Sequence, residues 1–91
     1  MNHPAFPTID IPATLLSSGW STRDVWHNDA CVRLTRPGWT LWVEHADPDQ
    51  REVPGARFAL VPTNDEYDPL EPQSFAETLD ELEALITRFG I

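Results

Sequence analysis

The chain has no lysine, a single cysteine, four glycines and no apolar run longer than a few residues. Each scarcity excludes something. Six arginines face fifteen acids, for a net charge of −9. The clustered cations that grip a phosphate backbone are therefore missing, which argues against direct nucleic-acid binding. Cys31 has no second cysteine to pair with, so no internal disulfide forms, and a lone thiol suits a reducing cytosol. The short apolar runs exclude a membrane span. The opening MNHPAFPTIDIP carries three prolines and no early Lys or Arg, and is not read as a signal peptide. The glycines stand singly, so there is no Gly-rich phosphate loop. The expected setting is cytoplasmic.

What is present points to one small domain. Ninety-one residues leave no room for a second core. Apolar residues at 41% and charged residues at 23% are ordinary globular usage, against wholesale disorder. Pro4, Pro7 and Pro12 break up residues 1–12, which read as an extended Pro-rich arm laid on the body through Phe6 and Ile9. Residues 13–91 form the domain. Pro12 to Ser18 suits one short helical turn ended by Gly19.

Residues 20–46 read as a β-meander with turns at Asn28-Asp29 and Pro37-Gly38. With two-residue loops, opposing residue numbers sum to 57 around the first turn and 75 around the second. That register separates two faces. Val25, Val32, Val43, Leu34 and Leu41 share an aliphatic face. The other face holds the rows Trp26–Cys31–Glu44, Asp24–Arg33–Trp42 and Thr22–Thr35–Thr40, as expected of an antiparallel sheet covered on one side. Trp20 and Trp39 read as ends of the core. A further strand is expected at about 57–63, with Phe58 and Leu60 on one side, Ala59 and Val61 on the other, and Pro62 near its end. Residues 64–73 form an acidic, proline-punctuated loop.

A final helix is the strongest local signal. Ser74 with Glu77 reads as a capping box. Phe75, Leu79, Leu82, Leu85, Ile86 and Phe89 make an apolar stripe at three- and four-residue steps, and Gly90 ends it. The fold class is α+β: an antiparallel meander of three to four strands with one long C-terminal helix across its aliphatic face. The element order is similar to that of double-stranded-RNA-binding domains, in order alone and in no motif. Such domains meet phosphates with Lys and Arg, whereas residues 47–91 here carry eleven acids and three arginines.

Chemistry-bearing sets are thin. His27, His45, Cys31 and Glu44 cannot converge on a metal, because the register puts Cys31 and Glu44 on the face opposite the histidines. Cys31 lacks an adjacent base to lower its pKa, no G-x-S-x-G occurs, and the paired carboxylates sit in loops that read as open to solvent. No catalytic residue, cofactor or metal is assigned, and the chain does not read as an enzyme. Two surfaces remain. Trp26, Arg33 and Trp42 on the outer face are of the residue types that anchor interfaces; cover by the arm through Phe6 and Ile9 is an equal competing account. Glu77, Asp80 and Glu81, with the acids of 64–73, form an acidic helix–loop surface, which is also how a solvated helix face looks. The expected function is a small protein-interaction module that meets a protein partner or a second copy as a homodimer. The alternatives are an acidic mimic of nucleic acid that blocks a nucleic-acid-binding protein, and a small-molecule-binding module or minor enzyme.

Overall fold

The computed structural model describes residues 11–21, 31–45, 47, 49, 51 and 56–91. A short helix α1 (Ala13–Ser17) precedes four strands, β1 (Cys31–Arg36), β2 (Trp39–Glu44), β3 (Phe58–Pro62) and β4 (Ser74–Ala76), and a helix α2 (Leu79–Phe89). The strands form one antiparallel sheet in the order β1-β2-β3-β4. This is the α+β meander with a C-terminal helix that the sequence pattern implies.

The β1–β2 hairpin follows the counted register, from Cys31 opposite Glu44 to Arg36 opposite Trp39. Gly38 closes it at φ 83°, the left-handed value that a type II turn requires after a proline. Thr63 N–H donates to Gly38 O at 2.9 Å and Glu44 N–H to Arg57 O at 2.7 Å, at opposite ends of the β2–β3 pair. Hydrogen-bonded and non-bonded positions alternate between them, so Pro62 falls opposite Trp39 where β2 needs no N–H. An interior strand thus ends in proline without losing a ladder bond.

Two cross-strand rows make the inner face: Val32–Val43–Phe58–Ala76 and Leu34–Leu41–Leu60–Ser74. Their apolar members are buried together with Leu15 of α1, Trp20 and Leu82 of α2. Ile11, Leu79, Leu85 and Ile86 pack against this cluster, and the Trp39 ring lies 5.3 Å from that of Phe89. Trp20 and Trp39 are core ends, as the sequence suggests. Leu82 is fully buried, and truncation of such a leucine to alanine costs about 2–5 kcal/mol.

Two local expectations are corrected. The capping box is Thr78 with Glu81, not Ser74 with Glu77: Glu81 N–H donates to Thr78 Oγ1 at 3.2 Å, and Thr78 N–H to Glu81 Oε1 at 3.1 Å. Ser74 and Phe75 belong to β4. Phe75 kept the four-residue step to Leu79, but Ala76 completes the inner row opposite Phe58, and this sheet pairing takes precedence over the helical period. Farther upstream, Ser21 rather than Thr22 bridges Thr35. The counted first-turn register is thus off by one at this bridge, which moves Ser21 in place of Thr22 to the position opposite Thr35. The bridge places Trp20 beside Arg36, whose guanidinium carbon lies 5.5 Å from its ring centroid. The arm residues Phe6 and Ile9, the Asn28-Asp29 turn, Asp24, Val25, Trp26 and His27 lie outside the described residues.

The corrected cap gives a direct test. Thr78→Ala removes the acceptor for Glu81 N–H and is expected to lower unfolding free energy by about 1 kcal/mol. Ser74→Ala is expected to change it by no more than about 0.5 kcal/mol. Urea denaturation of the two variants checks the assignment.

Candidate functional site

The outer face of the sheet carries three rows. Cys31 and Glu44 lead toward Arg57; Arg33, Trp42, Ala59 and Phe75 run across all four strands; Thr35, Thr40 and Val61 follow. Arg33 and Trp42 are therefore neighbours, as the counted register implies, and the sheet adds Phe75 to their row. The centre of this face is not open to water. Cys31, Thr40, Ala59 and Val61 are buried and Arg33 and Trp42 half-buried. Trp42 and Glu44 each have a partner within the chain. The exposed part of the face is its β4 margin, where Phe75 keeps 65% of its surface in water.

The loop 64–73 bounds that face. Asn64 Oδ1 accepts the N–H groups of Glu66 at 2.8 Å and Asp68 at 3.0 Å, an Asx turn that tightens the loop. Within it Tyr67 takes φ 65°, uncommon for a bulky side chain. The Tyr67 ring then meets the Arg33 guanidinium at 4.3 Å, a cation–π contact between loop and sheet. Leu70 is 62% exposed, and its N–H donates to Pro62 O at 2.9 Å. Asp65, Glu66, Asp68 and Glu71 are all exposed in the same loop.

The helix-side acids divide by role. Glu77 receives a two-pronged contact from Arg51: Nη1 to Oε1 at 3.1 Å and Nη2 to Oε2 at 3.0 Å. Arg51 Nε also donates to His45 O at 2.8 Å. The Arg51 side chain is 1% exposed while that of Glu77 is 55% exposed, so the clasp is built inward from a surface carboxylate. Glu81 is the capping acid, with Oε1 accepting from Glu77 N at 2.9 Å as well. Asp80 is exposed in the first turn of α2 and favours the positive helix end. Of the sequence-nominated residues, Arg33 and Trp42 stand side by side, Glu77 and Glu81 have intramolecular partners, and Trp26 lies outside the described residues. Sequence reasoning missed Phe75, Leu70 and the Arg51 clasp. The strand that exposes Phe75 has only three residues, too few for a clear two-residue alternation; a buried arginine carries no local signature.

Cys31 is a buried free thiol, and His45 Nδ1 accepts the Asp47 N–H at 3.0 Å. Among the described residues no three His, Cys, Asp or Glu side chains converge on a metal-sized point, and no helix there is long and apolar enough to cross a membrane. No protein-family model, curated protein or solved structure matches the chain. Function is therefore argued from the surface itself.

The Arg51 hydrogen bonds hold the Glu77 carboxyl below its ordinary value, helped by the charges of Arg51 and Arg57 and opposed by desolvation. A carboxyl lowered in the folded state stabilises the fold above its unfolded pKa, and that contribution fades as pH falls through the folded value. Glu77→Gln is expected to be less stable than the parent at neutral pH, with the difference closing below the ordinary carboxylate range. Thermal melts of both proteins from neutral to acid pH measure this. A constant difference across the range would show that the clasp acts through shape alone.

Proposed function

We propose that the chain is a non-catalytic interaction module whose contact surface is the β4 margin of the outer face. The partner is a protein that offers an apolar contact rimmed by Lys and Arg. The observation that carries this reading is Phe75, a large aromatic left 65% exposed in a row with Arg33 and Trp42. Aromatic and Arg side chains at a patch centre, with polar groups around, are the usual anatomy of a contact surface. Leu70 and Tyr67 extend the apolar character of this side, at 62% and 41% exposure.

Charge selects the partner's chemistry. Asp65, Glu66, Asp68 and Glu71 lie in the loop before β4, and among the described residues none is paired with an arginine. A basic partner gains from their field. A second copy of the chain would bring a further −9 to the contact, so homodimerisation is disfavoured relative to a cationic partner. The acidic-mimic reading draws less support, because Glu77 and Glu81 spend their carboxylates on Arg51 and on the helix cap. A cytoplasmic setting accords with the single buried thiol.

The test compares the parent with a Phe75→Ser, Leu70→Ser double variant in capture from native extract, with helix content followed in parallel. The expected outcome is a basic protein retained by the parent, lost with the double variant, and released as salt rises from about 0.05 to about 0.5 M. Capture indifferent to both the substitutions and salt would sink the proposal. Sedimentation showing Phe75-dependent dimers would replace the basic partner by a second copy.

A further inference from the structure

A second feature lies at the far end of the β1–β2 hairpin, away from the row that carries Phe75. A cleft of about 300 Å³ opens between the turn at Pro37-Gly38, the residues after α1, and the start of the 64–73 loop. Its size is at the lower end of small-molecule sites. Backbone hydrogen bonds fix its walls. Ser21 and Thr35 exchange N–H···O bonds at 2.8 and 3.2 Å, Gly38 O accepts from Thr63, and Tyr67 N–H donates to Asn64 O at 3.0 Å. The Thr63 hydroxyl is in turn tied to that of Thr40 at 3.2 Å. The cleft is assembled from segments distant in sequence, and its shape is set by the fold rather than by one loop.

Its charges are the informative part. Arg36 is half-buried and lines the cleft. In a chain with fifteen acids and six bases, an arginine is expected to find a carboxylate. Among the described residues Arg36 has none. Its guanidinium is held instead against the Trp20 ring. Gly19 borders it closely, since a Cβ there would lie 3.8 Å from Arg36 Nε. The planar fork of donors on a guanidinium suits a carboxylate, and Arg36 is among the residues that line the cleft. Asp65 lines the same cleft and does not pair with Arg36. One cation and one anion thus line the same small cleft without pairing with each other.

We propose that this cleft binds a small zwitterion of the amino-acid class, with its carboxylate on Arg36 and its ammonium on Asp65. A simple anion would meet Asp65 and the repulsive field of a −9 chain. A simple cation would meet Arg36. A zwitterion has no net charge to be repelled and satisfies both groups at once. Ser21, Thr35, Thr63 and Asn64 are further polar residues in the lining.

The experiment is an amide-resolved NMR titration of the full chain with L-serine, L-glutamine and L-phenylalanine. Lactate and ethanolamine, each carrying one of the two charged groups, are the controls. The expected result is saturable shifts at the amides of Ser21, Gly38, Asn64 and Asp65 for at least one amino acid, with lactate and ethanolamine at least about tenfold weaker. Arg36→Gln and Asp65→Asn should each weaken that binding by about tenfold or more. Asp65 is exposed, so Asp65→Asn keeps the fold and decides the matter even if Arg36→Gln, which loses the Trp20 stack, does not. Absence of saturable shifts with all three amino acids, lactate binding as tightly as the amino acid, or unchanged binding in Asp65→Asn would each overturn the proposal.

Discussion

The row Val32–Val43–Phe58–Ala76, lying in the core with Leu82, is the constraint on which the rest depends. It spans all four strands, so it fixes the register of each pair in turn. A slip of one residue at any pair would move that strand's apolar set to the other face and leave Leu82 without its neighbours. The same row explains why residues 74–76 are strand. Ala76 is needed opposite Phe58, and the backbone that puts it there must be extended through Phe75. The helix can then begin only after Thr78, which caps it.

The outer face follows from that choice. With Ala76 turned inward, Phe75 is turned outward beside Ala59, in the row of Arg33 and Trp42. Its exposure is thus a consequence of core geometry. Thr40, Ala59 and Val61 are buried, so among the described residues in the rows of this face Phe75 at the β4 margin is the large apolar side chain left exposed. The stack of Tyr67 on Arg33 anchors the acidic loop at the edge of the same surface.

Scarce cations make each arginine informative. Arg51 is spent on tying the segment at His45 to the β4–α2 junction through Glu77. Arg33 holds the acidic loop. Arg88 sits in the last turn of α2, where the helix end is negative. Arg36 has only an aromatic ring among the described residues. Among the described residues, Arg51, Arg33 and Arg88 thus act within the fold, and Arg36 carries the charge on which the proposed cleft site rests.

The sequence alone determined the β1–β2 register, the division of Phe58 and Leu60 from Ala59 and Val61 onto two sides, the two tryptophans at the core ends, and the amphipathic stripe from Leu79 onward; which side faces the core came from the pairing with β2. These are local: a Pro-Gly turn, a two-residue period and a three-to-four-residue period each act within one or two elements. The start of the last helix, the bridge of Ser21 to Thr35, the Arg51–Glu77 clasp and the cleft at Arg36 were decided only in the folded molecule. Each depends on groups far apart in the chain, where two local patterns fit equally well and burial against a distant partner selects one of them.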